Sequence, residues 1–304
     1  MNAAITRARP VDSLRAYLAL TKPRVIELLL VTTVPAMVLA ARGAPPLWLV
    51  AVTLIGGFLA SGGAGAINCY IDRDIDEIMA RTRRRPLPQG IVSPRRALLF
   101  GIALGCASFV LFATLVNLLS ALLAIAGLLF YVFVYSLWLK RSTPQNIVIG
   151  GAAGAIPPVI GWAAVTGHIS VAPLILFAII FVWTPPHFWS LALRFEDEYA
   201  AAGVPMLPVV RGDDETRKQI FLYSVLLVPV SLLLVPDGAM GLVYLVLAAL
   251  LGAWFVLQAL RLWRDPEHRS PMRLFAYSIT YLALLFGAMV LDQVAQNTLH
   301  VIRI

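Results

Sequence analysis

The sequence predicts an all-α polytopic membrane bundle of about nine transmembrane helices around a central cavity open toward the cytoplasmic side. Three observations predict it. Of the 304 residues, 60% are hydrophobic and only 13% charged, with a mean hydropathy of +0.84, a balance foreign to water-soluble domains. The apolar runs are long enough to cross roughly 30 Å of hydrocarbon. Lysine and arginine gather on alternate connections.

In chain order the runs cover 25–42, 46–67, 97–116, 118–138, 147–166, 170–191, 219–236, 239–260 and 274–295, the third and fourth parted by little more than Asn117. With a cytoplasmic amino terminus, 22 of the 24 Lys and Arg residues fall on the cytoplasmic side, leaving Arg42 and Arg303 opposite. One span more or fewer would swap the sides of every later segment and spoil that partition. The expected location is therefore integral and multi-pass, in the inner (plasma) membrane of a bacterial cell. Residues 1–304 are expected to form one membrane-embedded unit, with a cytoplasmic amino-terminal segment at 1–24 and catalytic cytoplasmic loops at 68–96 and 192–218.

The net charge of +8 reads as an orientation signal that also attracts anionic lipid headgroups of the bilayer. It gives no support to nucleic-acid binding, because there is no soluble domain to present that charge. Cys69 and Cys106 exclude a disulfide framework and lack metal-ligand spacing. The basic, acid-poor first 24 residues could serve as a signal peptide or a short mitochondrial presequence. An uncleaved first span is preferred, since its apolar stretch exceeds a usual signal core.

The acids are not scattered. Asp72, Asp74, Asp76 and Glu77 follow the second run; Glu196, Asp197, Glu198, Asp213, Asp214 and Glu215 follow the sixth. Topology needs only positive charge, so ten of sixteen acids in two connections ask for another cause. These connections lie four spans apart, the pattern of two four-span halves. Small residues group in GGFLASGGAGAIN and IGGAAGAIPPVIGWAAVTG, where they let helices approach closely. Pro157, Pro158, Pro185 and Pro186 are expected to kink or break their helices beside a sheltered cavity.

Asn68, Asp72 and Asp76 stand four residues apart in NCYIDRDIDEIMARTRRRP. At roughly 100° per residue, steps of four place them on one helical face, about 6 Å apart along the axis. Two carboxylates and an amide oxygen are the hard ligands Mg²⁺ prefers, with water and substrate phosphate completing the shell. Arg81, Arg83, Arg84 and Arg85 follow at once, as fixed positive charge for a phosphorylated ligand. A solvated charged loop is the simpler explanation of such a stretch; regular spacing at the membrane boundary favours a site.

The order of these elements resembles the intramembrane aromatic prenyltransferases of the UbiA superfamily, whose Asn-x-x-x-Asp-x-x-x-Asp motif after the second span binds Mg²⁺ and an isoprenoid diphosphate. Asn68, Asp72 and Asp76 match that motif position for position. More narrowly, KPRVIELLLVTT, RTRRRPLPQGIVSP, LKRSTPQNIVIGGAAGAIPP, TPPHFWSLAL and AGVPMLPVV resemble the heme-specific branch. The chain departs from the wider pattern in lacking a second Asp-x-x-x-Asp after the sixth span; an acid followed by Tyr, here Glu198 and Tyr199, stands there instead.

The resemblance implies farnesyl transfer from farnesyl diphosphate to the vinyl group of heme B, with addition of water to give heme O, and a heme A synthase as receiving partner. It assigns Mg²⁺ to Asn68, Asp72 and Asp76, with Glu198 as a further ligand and Asp197 next in line. Arg81, Arg85, Lys140 and Arg141 are candidates to grip the diphosphate. Phe130, Tyr131, Phe133 and Tyr135 are expected to line a prenyl slot whose ring faces stabilise a carbocation, although single members also suit an interfacial aromatic belt. His187 is either a ligand of heme iron or of a propionate, or a hydrogen-bonded histidine beside a helix break. Another aromatic acceptor of quinone-precursor type and a secondary transporter are the competing functions. Acids concentrated at one face, instead of at mid-membrane, weigh against transport.

Overall fold

The structure, a computed structural model, describes residues 10–264 and 270–302, with the side chains at 10–13, 24–25, 27–30 and 299–302 set aside. The first nine residues of the expected amino-terminal segment, and Arg303, lie outside the described residues. The described part of that segment forms helix α1, Pro10–Leu20, followed by α2, Pro23–Ala41. Next come α3 (Leu47–Ile71), the short α4 (Arg73–Ile78) and α5 (Pro94–Leu115). Helix α6 (Leu118–Leu129) runs into a π-helical segment, Phe130–Leu139, and a last turn α7, Lys140–Ser142. Then follow α8 (Asn146–Thr166), α9 (Val171–Arg194), the short α10 (Glu196–Ala201), α11 (Leu207–Leu232), α12 (Leu242–Arg264) and α13 (Pro271–Ile302).

Among the described residues seven helices are long and apolar enough to cross a membrane, and the chain is an integral membrane protein. Lipid forces this architecture, because a spanning backbone must satisfy its own N–H and C=O groups. Helices α2 and α11 stand where the first and seventh spans are expected. Helix α11 begins twelve residues earlier than its apolar run, and Gly212, at φ 78° and ψ 170°, bends it between a charged start and an apolar remainder. Asn117 separates α5 from α6: its side chain accepts from the Ser120 N–H and donates to the Ala163 carbonyl, both at 2.8 Å.

The helices pack as two similar series. In the first, α3 lies on α5, α5 on α6, and α6 on α8; in the second, α9 lies on α11, α11 on α12, and α12 on α13. Helix α2 runs between them against α8 and α13, and α8 against α9 joins the series. The expected four-span halves are present, each opening with the helix that ends in an acidic turn.

Glycine makes the tightest crossing. A Cβ on Gly63 would stand 2.7 Å from the Gly101 carbonyl oxygen and 3.1 Å from the Gly105 nitrogen, so α3 and α5 touch backbone to backbone. Pro157 and Pro158 lie inside α8, and Pro185 and Pro186 inside α9, without breaking either helix. In α9 the Thr184 and Ser190 hydroxyls donate to the carbonyls of Ile180 and Pro186, four residues back, at 2.7 Å. The irregular segment is the π-helix, which carries no proline. At the far end of the bundle, buried Asp292 of α13 accepts from the Gly241 and Tyr244 N–H groups at 2.7 and 3.0 Å, capping α12 from a neighbouring helix.

Candidate active site at the acidic end of the bundle

Helix α3 delivers Asn68 in its last turn, Asp72 joins α3 to α4, and Asp76 lies in α4. The helical ladder persists through the joint: the Asp72 N–H reaches the Asn68 carbonyl at 2.9 Å and the Asp76 N–H reaches the Asp72 carbonyl at 2.8 Å. The three side chains therefore share a face, as their spacing predicts. All three are buried, Asp72 completely.

Buried carboxylates require partners, and each oxygen-bearing group has a cation beside it. Lys22 Nζ donates to Asn68 Oδ1, and Lys140 Nζ to Asp72 Oδ2. Arg85 Nη1 meets both Asp76 oxygens, at 2.9 and 2.8 Å. Asn68 Nδ2 in turn donates to Asp72 Oδ2 at 2.8 Å and to Ser136 Oγ at 2.9 Å. Arg141 forks onto Asp74 with two bonds of 2.7 Å, holding that carboxyl down to about 2. One atom is left over. Asp72 Oδ1 is sealed from solvent and makes no hydrogen bond, with Arg141 Nη2 3.9 Å away.

The π-helical segment forms the wall beside these groups. Ser136 Oγ donates to the Tyr131 carbonyl five residues back, at 2.9 Å, across the widened turn. Tyr131 and Tyr135 turn inward as a pair, ring centroids 5.3 Å apart. Gly150 on α8 makes room for them, since a Cβ there would fall 2.3 Å from Tyr135 Cδ2. Phe133 does not join them: it is 58% exposed on the outer face, so the aromatic wall is narrower than expected.

Arg81 ties the second acidic connection to the first. Its Nη2 donates to the Tyr199 hydroxyl at 2.9 Å and its backbone N–H to Glu198 Oε2 at 3.3 Å. Its guanidinium lies over the Phe195 and Tyr199 rings at 5.0 and 5.4 Å. Of the acids expected there, Glu198 faces the first loop and Asp197 is exposed. Burial, with Asp213 adjoining, pushes the Glu196 carboxyl above its ordinary range.

His187 is clamped between Trp183 and Phe275, ring centroids 4.3 and 4.5 Å away. Its Nδ1 lies 2.7 Å from Ser278 Oγ on α13. That hydroxyl has one proton, directed to the Phe275 carbonyl at 2.6 Å. Nδ1 is thus the donor to Ser278, and Nε2 carries the lone pair, with no protein partner among the described residues. This is the tautomer of a ligating histidine.

Among the described residues no three His, Cys, Asp or Glu side chains form a metal cage. The donors present, an amide oxygen and two carboxylates of which Asp72 Oδ1 is orphaned, fit instead a hard cation that brings phosphate and water ligands with it. Lys22 and Ser136 bond the Asn68 side chain and Ser278 bonds His187, although the sequence did not single them out. Lys22 lies 46 residues before its partner, and only its place ahead of Pro23 in KPRVIELLLVTT could have drawn attention to it.

An all-helical membrane bundle with buried carboxylates, encircling cations and an aromatic wall at one mouth defines a class, the membrane-embedded proteins that handle an anionic amphiphile at the lipid boundary. Comparison with known proteins makes it specific. Residues 29–287 match the UbiA prenyltransferase family, and the chain belongs to that family. It is 58% identical over 285 residues to a protoheme IX farnesyltransferase of Parafrankia sp. (strain EAN1pec), covering 93% of this chain and 91% of that one. It is 56% identical over 283 residues to a protein of the same name from Gloeobacter violaceus, covering 93% of each. Among solved structures it resembles a digeranylgeranylglyceryl phosphate synthase, with a TM-score of 0.78 at 19% identity over 93% of this chain and 99% of that one. A UbiA homolog from Archaeoglobus fulgidus bound to GPP and Mg²⁺ gives a TM-score of 0.64 at 18% identity, covering 90% and 99%. These two structures share the fold.

Proposed function

We infer that the chain transfers a farnesyl group from farnesyl diphosphate to a vinyl group of heme B, with addition of water, giving heme O. The observation that carries this reading is the identity of 55–58% with protoheme IX farnesyltransferases along nearly the whole chain. The acid and cation cluster supports it independently, since it suits a diphosphate accompanied by Mg²⁺. Nine crossings with the amino terminus and the acidic mouth on the cytoplasmic side accord with the distribution of Lys and Arg. The product suits a heme A synthase as the next protein in line.

Bound Mg²⁺ would neutralise the diphosphate leaving group as the allylic C–O bond breaks. Asp72, Asp76 and Asn68 would hold it. Lys140 and Arg85, already at these oxygens, would hold non-bridging diphosphate oxygens and stabilise their growing charge. Arg141 and Arg81 would fix the first loop against Asp74 and against Tyr199, and Glu198 would anchor the Arg81 backbone unless drawn to the metal. The inward faces of Tyr131 and Tyr135 would shelter the farnesyl cation, each by roughly 0.5–2 kcal/mol. His187 would present its Nε2 lone pair to the iron of the heme acceptor.

The test incubates purified protein with heme B, farnesyl diphosphate and Mg²⁺ and weighs the product by mass spectrometry. A heme heavier by one farnesyl group and one water is expected, lost with a chelator and in Asp72→Ala. A prenylated quinone precursor with untouched heme would refute the acceptor, and full turnover by Asp72→Ala would refute the metal assignment.

A further inference from the structure

Each of the three residues expected to hold the metal already has a protein cation on its oxygen: Lys22 on Asn68, Lys140 on Asp72, and Arg85 on Asp76. A divalent ion arriving alone meets these charges at contact distance in a site that solvent hardly screens. An ion arriving with a diphosphate brings anionic oxygens to which the same Lys and Arg side chains can transfer. We propose that the protein takes up its divalent cation and the diphosphate together, by exchange: Lys22, Lys140 and Arg85 leave the carboxamide and carboxylates for the diphosphate as the metal takes their place. This rests on the metal reading of the site given above.

Lys22 is the least expected member. It is in the left-handed region at φ 56° and ψ 57°, although it precedes Pro23, a backbone state unfavourable for a side-chain-bearing residue. Strain of this kind gathers where a switch or a ligand clamp needs it. Here it brings Nζ from the turn between α1 and α2 to a buried amide on α3. Asp72 Oδ1, sealed and without a hydrogen bond, is the oxygen that no protein cation closely occupies, and so the first point of purchase for the incoming ion. Coupling must be reciprocal: whatever factor the metal adds to diphosphate binding, the diphosphate adds to metal binding.

The probe is Mn²⁺ followed by electron paramagnetic resonance and calorimetry on the purified full chain, with and without inorganic pyrophosphate. For the wild type, pyrophosphate is expected to tighten Mn²⁺ by about tenfold or more. Lys140→Met should bind Mn²⁺ about tenfold more tightly than wild type in the absence of pyrophosphate, and lose most of the pyrophosphate enhancement. Lys22→Met, which leaves no buried carboxylate unpaired and so keeps the fold, should move in the same direction by a smaller factor. Equal Mn²⁺ affinity of the wild type with and without pyrophosphate, or variants that bind free Mn²⁺ no better, would overturn the exchange while leaving a metal site standing. No Mn²⁺ uptake under any condition would remove the metal assignment itself, and the exchange with it.

Discussion

Replacing Arg85 by Met tests whether charge pairing holds the acidic mouth together. Asp76 is 1% exposed and takes both of its close bonds to a cation from Arg85, so the variant leaves a buried carboxylate without its counter-charge. Removing one partner of a fully buried pair costs about 3–5 kcal/mol. Because the Arg85 side chain is 32% exposed and water can follow it in, the lower end, about 3 kcal/mol, is expected. For a chain of this size that lowers the melting temperature by about 5 °C. Thermal unfolding in detergent, followed by tryptophan fluorescence, measures it. Asp76→Asn alone should cost about 1 kcal/mol, since a neutral amide still accepts from Arg85. The double variant Arg85→Met with Asp76→Asn should recover more than half of the loss, the buried charge having gone. A double variant as unstable as the sum of the two singles would show that Arg85 stabilises by packing, and would refute the charge argument.

Gly63→Ala should destabilise by about 1–3 kcal/mol in the same unfolding measurement, because its methyl meets the backbone of α5, whereas Gly287→Ala, with nothing within 4 Å, should be neutral or slightly stabilising. Asp292→Ala strands two backbone N–H groups at the start of α12 and should cost about 1–3 kcal/mol, while Mn²⁺ uptake at the opposite end stays at the wild-type level in calorimetry. Ser278→Ala frees the His187 Nδ1 proton and should alter the absorption spectrum of bound heme, with a melting temperature close to that of the wild type; an unchanged spectrum would show that the α13 hydroxyl does not orient the ring.

Much of this molecule is legible in the sequence because lipid imposes simple rules. The apolar runs give the helices, and the glycines of GGFLASGGAGAIN give the α3 and α5 crossing, because only a missing side chain permits that approach. Asn68, Asp72 and Asp76 are legible because four-residue steps survive the joint between α3 and α4. The π-helix is not legible: its residues are as apolar as an α-helix, and the wider turn leaves no mark on hydropathy. It carries the Ser136 bond to the Tyr131 carbonyl across its widened turn, whereas the inward Tyr131 and Tyr135 and the outward Phe133 follow from their four- and two-residue spacing alone. Of the kink or break that the prolines predict, the break is absent, α8 and α9 each running continuously through their Pro-Pro pair. Pairings across long stretches of chain, such as Lys22 with Asn68 and His187 with Ser278, leave no local trace.

The two halves are similar in path and unlike in chemistry. Helix α3 ends in carboxylates that are buried and matched by cations, whereas α9 ends in α10, whose Asp197 is exposed and whose Glu198 and Tyr199 are engaged by Arg81. A pair of equivalent acidic sites would confront two buried clusters of like charge, each requiring its own set of cations. Turning the second acidic turn toward Arg81 avoids that. The second series then contributes position: a tyrosine that holds the first loop, and a histidine whose ring is fixed by α9 and α13 together. On this division of labour a carboxylate introduced at position 199, Tyr199→Asp, should pair with Arg81 without increasing Mn²⁺ uptake in calorimetry. A second Mn²⁺ equivalent in that variant would show that the halves are still chemically interchangeable, and that the asymmetry is one of sequence alone.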